Sequence, residues 1–424
     1  MACHGGPAAD ELAGKSDRNF WRCSGSFWMA CDPHSGAYSL LTESPRRPVL
    51  ATARQIMARL NLNGPATEDA RCLACHVNPS LAKTDSAVDE RRLALRSEGV
   101  SCEACHGNAG DWLYEHTRWT DSERSAGYSS TGMLPLNNIG ERAVVCMGCH
   151  VGAPADGALP VRDMNHDMIA AGHPRLNFEY AEYLRRLPHH WREKEQTIDG
   201  NHAQGQGFAA RLWLVGRVAH AEVACKLLED RIRRSTTDDR TPWPEFAEFN
   251  CAACHHTIQD PNRLVTGSLG HRPMGSLRWQ SLWPLTYNNG LKAHDGTNAQ
   301  AAFDELLKDI EKHRLLGRDI SRLASKASSE LIKLRTSLVS LPDREIMMLA
   351  RGTFQSVDPA YLDQDELVQM LNGLAALQRT RAGPPDKAFI TASDLLRRKN
   401  WQASRDELKK LLRVVDLTQF GNPP

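Results

Sequence analysis

The 424 residues predict a mainly α protein with much irregular structure between its helices. Apolar residues recur at the 3.6-residue period in the last third of the chain and in one stretch of the middle, whereas no alternating apolar–polar run of convincing strand length occurs anywhere. Composition agrees: with 30 Gly, 22 Pro and 6% aromatic residues, the polypeptide core is thin for its length.

Residues 1–265 read as short helical pieces joined by Gly- and Pro-containing connections. In Asp32-Pro33-His34-Ser35-Gly36-Ala37-Tyr38 the Asp-Pro pair marks the start of a helix. Trp112, Tyr114, Trp119 and Tyr128 lie in connections, where they pack on a cofactor face or fill gaps. Phe208 to Arg234 is a helix on whose apolar stripe stand Leu212, Val215, Ala219, Val223 and Leu227, with Cys225 as a small core residue. Residues 266–296, from Gly267-Ser268-Leu269-Gly270 onward, lack periodicity and read as a wrapping loop. Residues 297–424 form a helical C-terminal domain. Its stripes are Phe303, Leu306, Leu307 and Ile310; Leu323, Ala327, Leu331, Leu334 and Leu338; and Leu367, Met370, Leu371, Leu374 and Leu377. Asp363 with Glu366 resembles a capping box opening the third.

One five-residue signature recurs four times: Cys72-Leu73-Ala74-Cys75-His76, Cys102-Glu103-Ala104-Cys105-His106, Cys146-Met147-Gly148-Cys149-His150 and Cys251-Ala252-Ala253-Cys254-His255. A shuffled chain of this composition yields about 0.01 such pentapeptides. Each reads as a haem c attachment site, in which two thiols bond to the porphyrin vinyl groups and the adjacent imidazole becomes an axial iron ligand. Zinc does not require a histidine after every second cysteine, and a redox dithiol is expected once, after a strand. The fold class thus sharpens to a multihaem protein with short helices and long loops around stacked haems, plus a helical C-terminal segment.

Met1-Ala2-Cys3-His4-Gly5 has the form of the end of a fifth signature, with Cys3 and His4 as its thioether and axial ligand. Haem is attached outside the bacterial inner membrane, and no signal peptide appears here, so the expectation is a periplasmic or otherwise exported protein whose leader and half a motif are missing from this start. Of the remaining cysteines, Cys23 and Cys31 either form a disulfide or stay as thiols.

Formal charge is +1, and haem propionates make the loaded protein mildly acidic, which argues against nucleic acid as a partner. No run reaches the roughly 18 apolar residues of a membrane-spanning helix. Partners are expected to be redox proteins; oligomeric state is not legible.

What fills the second axial position decides between electron transfer and catalysis, because a second imidazole saturates the iron. His34, His116, His166 and His173 stand out as distal ligands. His34 sits at a helix start and His116 in a Trp-rich loop. His166 and His173, if helical, share a face with a rise of about 10.5 Å between them, so that two neighbouring irons each take one. His256 points away from the iron of its neighbour His255, and His220 lies off the apolar stripe of its helix; His189, His190 and His202 flank loops; His271, His294 and His313 read as solvated.

Gly99-Val100-Ser101-Cys102-Glu103-Ala104-Cys105-His106-Gly107, Asp32-Pro33-His34 before Ala37-Tyr38, and Gly172-His173-Pro174-Arg175-Leu176-Asn177-Phe178-Glu179 together resemble the cytochrome c-554 family of multihaem cytochromes, related in haem arrangement to hydroxylamine oxidoreductase and the pentahaem nitrite reductases. The likeness covers roughly residues 1–260. It implies an exported electron carrier with closely stacked, mostly bis-histidine haems, supports His34, His116, His166 and His173 as distal ligands, and makes the incomplete motif at Cys3-His4 the family's first. The helical tail lies outside it.

Three functions follow. The first is single-electron transfer between redox partners. The second is a redox enzyme acting on a small nitrogen or sulfur compound at a five-coordinate haem, against which stands the lack of any Cys-x-x-Cys-Lys motif. The third is a docking module whose tail binds a partner.

Overall fold

The structure is a computed structural model that describes residues 3–5, 20–42, 51–82, 89–157, 159–191, 207–237, 241–251, 254–255, 279, 296–311, 317–355 and 364–378, with residues 391, 394, 406, 407 and 410. It is mainly helical and divides into two compact units, Met1–Leu176 with Leu184–Ala203, and Asn177–Tyr183 with Gln204–Pro424.

The first unit is a string of short helices: α1 (Ser24–Cys31), α2 (Ala53–Arg59), α3 (Ala70–His76), α4 (Glu90–Ser97), α5 (Cys102–His106), α6 (Asp121–Thr131), α7 (Ile139–His150) and α8 (His166–Ala170); α9 (Tyr180–Arg186) runs across the division between the units. Each is too short to persist alone, so caps and tertiary contacts decide where it forms. Thr52 and Gln55 close a reciprocal capping box on α2, Asp69 accepts from Arg71 N at 3.0 Å at the head of α3, and Asn138 accepts from Gly140 N and Glu141 N at 2.9 and 3.3 Å at the head of α7. A two-residue antiparallel ladder, β1 (Gly152–Ala153) with β2 (Arg162–Asp163), follows α7. The side-chain core is small here. Leu41, Met57, Ala66, Leu73, Val77 and Ala82 form one buried cluster under the first motif.

The second unit is an ordinary helical core. Its axis is α10 (Phe208–Ser235), packed on α12 (Gly317–Ser340), α13 (Asp343–Gln355) and α14 (Gln364–Gln378), with α11 (Gly296–Glu311) on α12. The sequence stripe of α10 is buried, Cys225 included, but so are Trp213, Leu214 and Val218 on its other sides. Buried charges on α10 are tied rather than solvated. Arg211 donates to Asp343 at 2.8 Å and to the Leu338 and Val339 carbonyls at 2.9 and 3.1 Å, capping the end of α12. Arg335 on α12 reaches Glu222 at 2.7 Å, and Glu248 accepts from Arg231 and the Trp279 indole. Trp213 stacks on Phe354 at 5.0 Å, and a Cβ at Gly373 would lie 2.4 Å from Trp213 Cε2, so glycine is what lets α14 approach.

The sequence boundaries at 265 and 296 follow the motifs. In the compact units α10 packs with the C-terminal helices, and the fourth motif falls in the same unit as they do, with Gln204–Pro424 and Asn177–Tyr183 together. The stripes at Phe303, at Leu323 and at Leu367 are buried; Asp363 and nearly all of 266–296 lie outside the described residues. α13 had no sequence signal assigned to it. Cys23 is buried and Cys31 exposed, and no disulfide joins them. Trp112 is buried, Tyr114 is exposed, and Trp119 meets Tyr128 edge to face at 6.1 Å.

Candidate functional site

Three of the signatures form the last residues of helices: Cys72–His76 in α3, Cys102–His106 as α5, and Cys146–His150 in α7. Residues three and four apart share a helix face, so both thiols and the imidazole of each motif point to one side. Each helix stops directly after its histidine. Val77 turns extended, and Gly107 takes φ +85°, where a Cβ would meet the Gly132 carbonyl at 2.4 Å.

Opposite the motif histidines stand second imidazoles. His76 faces His173 with ring centroids 6.3 Å apart, His106 faces His190 at 6.3 Å, His150 faces His34 at 6.0 Å, and His4 faces His116 at 6.1 Å. A first-row metal–imidazole bond is about 2.0–2.1 Å, and two such bonds in line, with a ring radius at each end, separate the centroids by about 6.3 Å. The four pairs therefore fit one iron between each two rings. Among the described residues no three His, Cys, Asp or Glu side chains converge as a zinc ion requires.

Hydrogen bonds orient these rings. Nδ1 of His76 meets the Ala37 carbonyl at 2.8 Å, Nδ1 of His116 the Trp112 carbonyl at 3.0 Å, Nδ1 of His173 the Pro174 carbonyl at 2.8 Å, and Nδ1 of His34 the Asp32 carboxylate at 2.8 Å. With Nδ1–H donated, the neutral tautomer leaves the Nε2 lone pair for a metal. Burial also favours the neutral ring: it holds His106 and His150 down to about 4, and lowers His4, His76, His173 and His190. His34 moves the other way because its bond to Asp32 favours the cation.

The His34 loop is fixed by the residues before the second motif. His34 O accepts from Val100 N at 3.0 Å, and Gly99 packs so closely that a Cβ there would lie 2.6 Å from His34 O. Asp32 caps the loop through His34 N at 2.9 Å. Glu103, inside the motif, accepts from Ala109 N at 2.7 Å and so pins the chain that leads to His116.

The thiols place the sites in a sequence of neighbours. Cys3 and Cys102 are hydrogen-bonded, Cys105 is within electrostatic reach of Cys146 and Cys149, and Cys149 is hydrogen-bonded to Cys75. The pairs thus run His4/His116, His106/His190, His150/His34, His76/His173. Burial pushes the Cys72 and Cys146 thiols up to about 11. The bonds from Cys102 and Cys75 instead lower Cys3 and Cys149 to about 7. Arg71 and Arg162 line a small cavity with Cys75 and Cys149, and the Arg162 guanidinium favours their thiolates.

Of the expected distal ligands, His34, His116 and His173 stand in pairs. His173 is not on a helix with His166: α8 ends at Ala170, and Gly172 at φ +108° turns the chain before His173. His166 opens α8 behind Asn165 and is not a member of the four pairs. The place facing His106 belongs to His190, which sequence reasoning did not single out. Cys251, Cys254 and His255 lie exposed in the second unit, and His256 is outside the described residues.

Thiols and an imidazole on one helix face in three motifs, with the rings of His4, His76, His106 and His150 each opposed by a second at iron-spanning distance, are what a haem c protein that works in electron transfer requires. Over residues 27–107, which hold His34 and the first two complete motifs, the chain matches the family model described as cytochrome c554 and c-prime, so that span is similar to the c-type cytochromes of this family. No curated protein and no solved structure matches the chain.

Proposed function

We propose that this chain is an exported multihaem cytochrome that relays single electrons from a one-electron donor protein to a one-electron acceptor protein. The observation that carries the reading is the set of four imidazole pairs at 6.0–6.3 Å. When bound, haem supplies an iron that cycles between ferric and ferrous states and a conjugated edge through which an electron tunnels.

The polypeptide's part is attachment, ligation and spacing. Cys72 and Cys75, Cys102 and Cys105, Cys146 and Cys149, and Cys251 and Cys254 are the thioether residues, with Cys3 for the site at His4. His76, His106, His150, His255 and His4 are the motif ligands; His173, His190, His34 and His116 oppose four of them. His166 is an axial ligand outside the four pairs in this reading. Two imidazoles per iron leave no position for substrate at those sites, which favours transfer over the enzyme reading. The contiguous order of the sites supports a relay, because tunnelling weakens steeply with separation.

The test is haem stoichiometry after maturation in a host competent for cytochrome c assembly, with export provided. Four or five acid-acetone-resistant haems per polypeptide are expected, from periplasmic material. Three or fewer, or pigment lost on extraction, overturns the reading.

A further inference from the structure

We propose that Asp32 makes the His34/His150 site the hardest to reduce of the four paired sites, an inference that rests on the ligand assignment above. His76, His116 and His173 donate Nδ1–H to neutral backbone carbonyls; of these four rings only His34 donates to a carboxylate. Asp32 is 6% exposed, and its other bond in the loop is from the His34 amide at 2.9 Å, so a full negative charge is held in a poorly solvated position one imidazole from the metal. A carboxylate partner gives the ligating nitrogen imidazolate character, which stabilises ferric over ferrous iron. Arg162 opposes this through space, but it faces Cys75 as well as Cys149 and so acts on two neighbouring sites alike. The Asp32 bond acts on one. Its charge also reaches His190 and Cys105 of the adjacent site, without a hydrogen bond to either.

The His34/His150 site stands third in the order of four, inside the relay. A hard-to-reduce interior member separates electrons held on the His4/His116 and His106/His190 side from those at His76/His173. Asp32 is thus a positioning and tuning residue rather than a ligand.

The experiment is a potentiometric titration of the full haem-loaded chain with Asp32→Asn and Asp32→Glu, beside His34→Ala as a control. Asparagine keeps the acceptor and removes the charge. One low-spin component, the lowest in potential, is expected to rise by at least about 59 mV, a tenfold gain in the reduced-to-oxidised ratio for one electron, while glutamate restores it. If His34→Ala creates a high-spin haem yet Asp32→Asn moves no potential, or moves all equally, the tuning role is overturned and the ligand assignment stands. If His34→Ala leaves every haem low-spin, the ligand assignment falls and this inference falls with it.

Discussion

His34 and His150 face each other with ring centroids 6.0 Å apart and planes 80° from parallel. The pairs His4/His116 and His76/His173 share that crossing, at 80° and 84°, while His106/His190 is tilted by 58°. Crossed imidazoles leave the two iron d orbitals that they π-bond nearly equal in energy. Electron paramagnetic resonance of the oxidised protein should therefore show strongly anisotropic low-spin signals from three sites and a less anisotropic one from the fourth. A spectrum composed solely of rhombic, parallel-plane signals would count against the pairs.

Removing one distal ring should open one iron and no other. His116→Ala, His173→Ala and His190→Ala are each expected to convert one low-spin haem to a high-spin form that takes up cyanide, read by optical and magnetic spectra. The His190 variant is the most informative, since no sequence signal pointed to it.

Gly99→Ala should dislodge the His34 loop. Gly99 has φ +71°, and the added Cβ would meet the His34 and Ser35 carbonyls at 2.6 and 2.9 Å. A cost of about 1–3 kcal/mol is expected from the backbone conformation alone. Thermal denaturation should report it, accompanied by partial loss of one low-spin signal.

Acid should weaken the first unit over a defined window. Folded His106 and His150 sit at about 4, below the ordinary 6.5 of an unfolded chain, so between those values the unfolded state binds more protons. Stability is then whole above pH 6.5 and falls as pH drops towards 4. Iron bound at Nε2 would hold the rings neutral and add in the same direction. Denaturant midpoints measured from pH 7.5 to 4 should decline monotonically; a flat profile would count against buried, neutral rings.

Arg335→Ala tests the second unit by itself. Glu222 is fully buried, and it keeps only Lys226, at 2.6 Å, as a described cation once the guanidinium is gone. Taking one of two cations from a buried carboxylate costs about 1–3 kcal/mol. The helical melting transition should fall accordingly, with the pair spectra of the first unit retained.

The four Cys-x-x-Cys-His signatures are legible because their spacing is local, and in three of them the fold sets two thiols and an imidazole on one helix face. The Asp-Pro cap marks His34 and a place soon after a motif marks His116, and the fold sets each opposite a second imidazole. His166 was linked to His173 by helical spacing, but Gly172 at φ +108° ends that logic in three dimensions. His190 was hidden because His189 beside it offers the same chemistry; only the fold aims His190 at His106 and turns His189 Nε2 to the Leu184 carbonyl at 2.8 Å. The burial of α10 on nearly all sides was likewise unreadable, since its charges are paired by residues far along the chain.

Near-infrared magnetic circular dichroism of the oxidised, fully matured protein, calibrated against haem content, counts irons held by two imidazoles. At least four per polypeptide are predicted. A population dominated by high-spin or singly ligated iron would contradict the opposed histidines as the basis of this protein's chemistry.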